Sequence, residues 1–186
     1  MPGFRVLFLC VGNVCRSPLG ERLLQGLLPA ADFEVASAGV RALAGQPMSP
    51  RAAVELQRYG GDPAGFLARQ LEPQLLKSSD LNLVATAELR SQVLAEWPAA
   101  MRRTFTVREF AALVDLVLPT VPEGEALDPR SLVDRAQARR SEVQGIDYDI
   151  PDPFRQSDAA HELAARLMHD AVDRIARGLL AATQRA

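Results

Sequence analysis

The chain has 186 residues, 48% of them hydrophobic and 24% charged, with a net charge of −2. That length and composition suit one globular domain with a real core, and they exclude a disordered or fibrous chain. The near-neutral balance leaves no electrostatic footprint for nucleic acid, and the short apolar run after Arg5 is too brief for a membrane span and has no cleavage pattern after it, so a cytoplasmic location without a nucleic-acid or membrane partner is expected.

The first element, FRVLFLC (4–10), is an unbroken apolar run ended by Gly12-Asn13, the pattern of a strand covered on both faces. SPLGERLLQGLL (17–28) follows as a helix, with Ser17 as the expected cap and Pro18 at the first helical position. FEVASAG (33–39) reads as a second strand, and SPRAAVELQRYG (49–60) as a helix with the same Ser-Pro entry and a glycine stop. A third strand (80–86), a helix (87–97) closed by Pro98, a fourth strand (104–107) and a helix (108–118) come next. Strands alternating with helices predict an α/β fold of three layers, a mostly four-stranded parallel sheet between helices. The last helix, about 158–182, carries Leu163, Leu167, Val172, Ile175 and Leu179 near helical spacing. Between Pro119 and Tyr148 the alternation fails. The segment is rich in Pro, Glu and Arg, holds one short amphipathic helix (129–143), and is expected to be a surface insertion at about 119–147 within a single domain, 1–186.

Chemistry concentrates in CVGNVCRSP, residues 10–18. The only cysteines are Cys10 and Cys15 and the only histidines His161 and His169, so no zinc-type ligand spacing exists and no metal or cofactor is expected. A cysteine at a strand end is often no more than a small buried hydrophobe. Arg16 shifts that balance. A loop from strand to helix turns successive amides toward a common centre, the helix start adds partial positive charge, and a guanidinium holds two oxygens of a phosphate. Val11, Gly12, Asn13, Val14, Cys15, Arg16 and Ser17 thus form a candidate phosphate-binding loop around Cys10, in a field that favours thiolate over thiol. Gly12 leaves the loop unobstructed, and Asn13 tolerates positive φ and can tie the turn together. Neither a nucleotide-type phosphate loop nor a C-x-x-C redox pair is present.

This motif resembles the low-molecular-weight protein tyrosine phosphatase family, whose signature is C-x5-R-S after the first strand. The order of the SAG at 37–39, the DLNLV at 80–84 and the late Asp152-Pro153 is similar too. The resemblance implies a cysteine-dependent phosphatase with Cys10 as nucleophile, Arg16 on the phosphate oxygens and Asp152 as general acid and then base, through a phosphocysteine intermediate. Ser17 would stabilise the thiolate, and Asn13 and Ser37 would brace the loop. Cys15 would either form a reversible disulfide with Cys10 under oxidation or simply fill space beneath the loop.

An ester oxygen needs a proton as it leaves, so a carboxylic acid must face the nucleophile. Asp152, between Pro151 and Pro153, is rigidly presented. Asp128, before Pro129, competes for the role but also suits a helix cap. For substrate, Val14 and Phe154 suit a phenyl ring, with Leu43 where the family has an aromatic wall, so phosphotyrosine in proteins is expected. Asp-Pro-Phe also resembles the arginine phosphatases of the same fold, the alternative. The arsenate reductases need later cysteines that this chain lacks. A non-catalytic anion-binding or redox-sensing module would gain nothing from a carboxylate facing its anion. Arg130, Arg135, Arg139 and Arg140 in the insertion form either a contact for a partner or homodimer mate, or a solvated charged helix.

Overall fold

The computed structural model describes residues 3–122, 125 and 127–184. Four parallel strands, β1 (Phe4–Cys10), β2 (Phe33–Gly39), β3 (Leu81–Val84) and β4 (Thr104–Thr106), form one sheet in the order β2-β1-β3-β4. Among the described residues seven α-helices connect and cover them: α1 (Arg16–Leu27), α2 (Pro50–Arg58), α3 (Pro73–Ser78), α4 (Ala87–Glu96), α5 (Val107–Val117), α6 (Pro129–Ala138) and α7 (Asp158–Gln184). Among the described residues no helix is long and apolar enough to cross a membrane.

The apolar run of β1 is explained by its central place. Phe4, Val6 and Phe8 face the larger core with α1, α5, α6 and α7, whereas Leu7 and Leu9 face a smaller one with Leu76, Leu89 and Val93 of α3 and α4. Both faces are dry, so the usual polar alternation is lost. The chain leaves β1 for β2 on one side and returns to β3 on the other, so the sheet's switch point lies at the carboxyl end of β1, where ligands bind in open α/β sheets. α1 lies close on that strand through Gly20, where a Cβ would stand 2.6 Å from the Phe8 ring.

Most expected elements appear, with differences at their ends. α1 begins at Arg16, and Ser17 caps nothing; its hydroxyl is committed to the loop described below. β3 stops at Val84 because Thr86 caps α4, accepting a hydrogen bond from Leu89 N at 3.1 Å. α5 starts at Val107 behind a reciprocal Thr106–Glu109 capping box. α3 was not anticipated, since its six residues are too few to show a period. On α7 the buried stripe is largely small, with Ala164, Ala165, Ala171 and Ala176 beside Met168, Val172, Ile175 and Leu179, while Leu163 is exposed.

Apart from positions 123, 124 and 126, which lie outside the described residues, the segment 119–147 is closely tied to the domain. Leu127, Leu132, Ala136 and Val143 join the main core. α6 ends at Ala138, and a 3-10 turn (Arg140–Val143) completes the stretch read as one helix. Its four arginines all have partners within the chain. Arg130 pairs with Asp80 at 3.0 Å, Arg135 with Glu125, and Arg139 with Glu142 at 2.7 Å. Arg140 pairs with Glu109 at 3.0 Å while stacking 4.0 Å over Phe105.

Candidate active site

The loop from Cys10 to Ser17 is shaped by where its carbonyls go. Those of Cys10, Val11, Gly12 and Val14 accept hydrogen bonds from the amides of Val40, Arg41, Leu43 and Ser49, at 2.8–3.1 Å. In a planar trans peptide the next N–H points the opposite way. The amides of Val11, Gly12, Asn13 and Cys15 are thereby turned to the other side, and Asn13 N–H indeed donates to Cys10 Sγ at 3.2 Å. Asn13 adopts φ 55°, the left-handed turn that an asparagine tolerates.

A second layer fixes the turn. Asn13 Nδ2 donates to Ser17 Oγ and to Ser37 Oγ, both at 2.8 Å, and Asn13 Oδ1 accepts from Arg69 N at 2.8 Å. Ser37 Oγ donates to Glu21 Oε2 at 2.5 Å, and the Ser37 carbonyl accepts from Arg69 Nε at 2.8 Å. Glu21 sits one turn into α1, and burial pushes its carboxyl above the usual carboxylate range, against the smaller opposing effect of the Ser37 hydrogen bond. Gly39 ends β2 against the loop: a Cβ there would lie 2.6 Å from Val11 O.

Cys10 is buried at the end of β1, its Sγ 2.9 Å from Ser17 Oγ. Ser17 accepts from Asn13 Nδ2, which leaves its own O–H to donate to the sulfur. Cys15 is a different kind of cysteine. It packs in the main core and burial pushes its thiol up to about 12; both cysteines are free.

Arg16, 5% exposed, spans to the far wall: Nη1 donates to Ile150 O at 3.1 Å and Nη2 lies 2.8 Å from Asp152 Oδ2. Its Nε is buried and has no hydrogen-bond partner among the described residues. The loop bearing Asp152 is anchored at several points. Ile150 N donates to Ala85 O at 2.9 Å, Asp149 Oδ1 accepts from Ala87 N at 2.7 Å, and Arg108 donates to the carbonyls of Asp147 and Asp149. Asp152 Oδ1 accepts from Phe154 N at 3.2 Å.

These residues enclose a cavity of about 190 Å³ lined by the loop, Arg41, Leu43, Asp152 and Phe154. The structure therefore brings together Cys10, Arg16 and Asp152, with Val14, Leu43 and Phe154 also lining the cavity. Ser17 and Ser37 stand beneath the loop through Asn13. Asp128 is elsewhere: it caps α6, accepting from the amides of Arg130 and Ser131, and the Ser131 hydroxyl holds its carboxyl below the usual range.

Sequence reasoning missed Glu21, Arg41, Arg69 and Asp149. Glu21 could have been found, being four residues past Ser17 on the same helix face. The other three reach the site through loops that no local pattern links to it.

Residues 5–123 match the family Low molecular weight phosphotyrosine protein phosphatase. The chain is 34% identical over 100 residues to the low molecular weight protein-tyrosine-phosphatase Ptp of Acinetobacter johnsonii, covering 54% of this chain and 69% of that relative. Among solved structures it is similar to the YwlE arginine phosphatase from Geobacillus stearothermophilus, with a TM-score of 0.73 and 27% identity over 97% of this chain and 96% of that one. It is also similar to the tyrosine phosphatase Wzb from Escherichia coli K30 in complex with sulphate, with a TM-score of 0.70 and 26% identity over 96% and 99% of the two chains. The family match spans well over half the sequence and includes the whole Cys10–Ser17 loop, so this chain belongs to the low molecular weight phosphotyrosine protein phosphatases.

Proposed function

We propose that the protein hydrolyses phosphotyrosine in phosphorylated proteins through a phosphocysteine on Cys10. The observation that carries this reading is the arrangement across one cavity: a sulfur receiving Asn13 N–H and the Ser17 hydroxyl, opposite a carboxylate held by Arg16. In the first step the Cys10 thiolate attacks phosphorus, the bond to the phenolic oxygen breaks, and Asp152 gives that oxygen its proton. In the second, Asp152 takes a proton from water as its oxygen attacks phosphorus. The S–P bond breaks, its electrons return to sulfur, and inorganic phosphate leaves. Arg16 and the inward amides hold the equatorial oxygens in both transition states, and the unpartnered Nε is a donor available for that charge. Ser17 and Asn13 stabilise the departing thiolate.

Val14, Leu43 and Phe154 offer an apolar lining to the leaving phenol. Phosphoarginine is the second reading, supported by the likeness to an arginine phosphatase and by Phe154 after Asp152-Pro153. We further propose that the protein acts in the cytoplasm, a compartment whose reducing conditions suit two free thiols. The test compares the protein and Cys10→Ser on peptides carrying phosphotyrosine, phosphoserine or phosphoarginine. Vanadate-sensitive turnover of the first, absent in the variant, is expected. Preference for phosphoarginine would transfer the assignment to the second reading.

A further inference from the structure

Two clefts meet at one arginine. Arg41 lines the catalytic cavity, and it also lines an adjoining groove of about 720 Å³ bounded by Val40, Leu71, Val93 and Trp97. Its backbone is fixed to the phosphate loop, with Arg41 N donating to Val11 O at 3.0 Å between two like bonds, Val40 N to Cys10 O and Leu43 N to Gly12 O. Gln70 fixes the groove side as well: its amide accepts from Ala42 N at 3.0 Å and donates to Val40 O at 2.9 Å. The position of Arg41 relative to the nucleophile is therefore set by the fold, while its side chain is exposed.

The charges around it are uneven. Arg16, the other cation of the catalytic cavity, is paired with Asp152. Arg41 forms no ion pair among the described residues. Beyond it the groove is mostly apolar or amide, with Glu96 its one carboxylate and half-buried Trp97 its one aromatic ring. An exposed guanidinium on a fixed backbone, at the junction of a phosphate site and a largely apolar groove, suits an anionic group next to the phosphorylated residue.

We infer that Arg41 is a specificity residue, pairing with an aspartate or glutamate of the substrate segment that flanks the phosphoresidue, and that this segment runs along the groove toward Trp97. The inference rests on the phosphatase reading of the cavity. It names the substrate class as acidic phosphotyrosine segments and sets basic flanks at a disadvantage by like-charge repulsion.

Three peptides test it, identical except that the residues beside phosphotyrosine are acidic, amide or lysine. The protein is expected to favour the acidic peptide over the amide one by about 1.5- to fivefold in kcat/KM, the range of one exposed charge pair. That preference should shrink in about 0.5 M salt as the charges are screened. In Arg41→Gln the ratio falls to about one, and in Arg41→Glu the lysine peptide becomes the better substrate. Each ratio is internal to one variant, so a loss of folded protein cancels. An acidic-to-amide ratio unchanged in Arg41→Glu, or a ratio of one in the parent protein, overturns the inference. A protein that turns over none of the peptides, nor p-nitrophenyl phosphate, instead removes the phosphatase reading itself.

Discussion

The hydroxyl of Ser17 stands 2.9 Å from Cys10 Sγ and is itself held by Asn13 Nδ2 at 2.8 Å. The serine at the start of a helix is thus spent on the nucleophile and not on the helix. Hydrogen bonds to a charged partner are worth about 1.5–3 kcal/mol, so Ser17→Ala should slow turnover by about 10- to 100-fold. The loss should fall on the second step, and a rapid-mixing experiment with an aryl phosphate should show a burst of phenol followed by slow release of phosphate. Loss of the burst itself would instead assign Ser17 to attack.

The two candidate acids, Asp152 and Asp128, separate by geometry. Asp152 faces the nucleophile, and Asp128 caps α6. Asp152→Ala should cut kcat on an aryl phosphate by about 100-fold or more, the usual scale of general acid–base catalysis. Asp128→Ala should leave kcat nearly intact and cost about 1 kcal/mol of stability, measured by denaturant unfolding, as the loss of an N-cap does.

The two thiols should react differently. Both are buried and both line the cavity, but burial pushes the Cys15 thiol up to about 12, whereas the Cys10 sulfur receives hydrogen bonds from Asn13 N–H and the Ser17 hydroxyl. Because the thiolate is the nucleophile, iodoacetate near neutral pH should label Cys10 alone, with inorganic phosphate protecting it. Peptide mass mapping that finds Cys15 carboxymethylated first would contradict this assignment.

Glu21 makes stability pH-dependent. Burial raises its carboxyl above the 4.5 of a free glutamate, so between that value and the raised one the folded state binds more protons than the unfolded state. The sign follows: stability from this group is fully present below pH 4.5 and is lost as pH rises through the folded-state value. Glu21→Gln should remove that decline, so melting temperatures of the two proteins, compared from pH 4.5 upward, should converge toward acid and diverge toward neutrality.

Gly39 offers no room. With Val11 O 2.6 Å and Asn13 Cβ 3.0 Å from where its Cβ would stand, Gly39→Ala must displace the phosphate loop itself. Overpacking of this kind costs about 1–3 kcal/mol, and here the affinity for vanadate should fall together with the melting temperature.

Legibility in the sequence followed distance along the chain. The loop from Cys10 to Ser17 is contiguous, so its chemistry could be read from nine letters, and the unbroken apolar β1 announced a sheet covered on both sides. Asp152 was legible because two prolines mark it. Arg41, Arg69 and Asp149 were not, since each is delivered by hydrogen bonds between segments far apart in sequence. Ser17 carried two expected roles, helix cap and partner of the thiolate, because Ser-Pro before an apolar period is a sound helix start; the fold keeps only the second, the hydroxyl going to the sulfur. The charged segment 119–147 concealed its role similarly, because Leu127, Leu132 and Val143 are few but all buried.

Arg16 has one guanidinium and two duties. Through Ile150 O and Asp152 it holds the acid-bearing segment, and its fork is the same one that must receive an oxyanion. Anion occupancy and the mobility of residues 149–154 are consequently linked quantities: a tetrahedral oxyanion competes with Asp152 for Nη2 while Nη1 keeps its grip on the backbone. Amide exchange across that stretch becomes a gauge of what the cavity contains, even when no chemistry occurs.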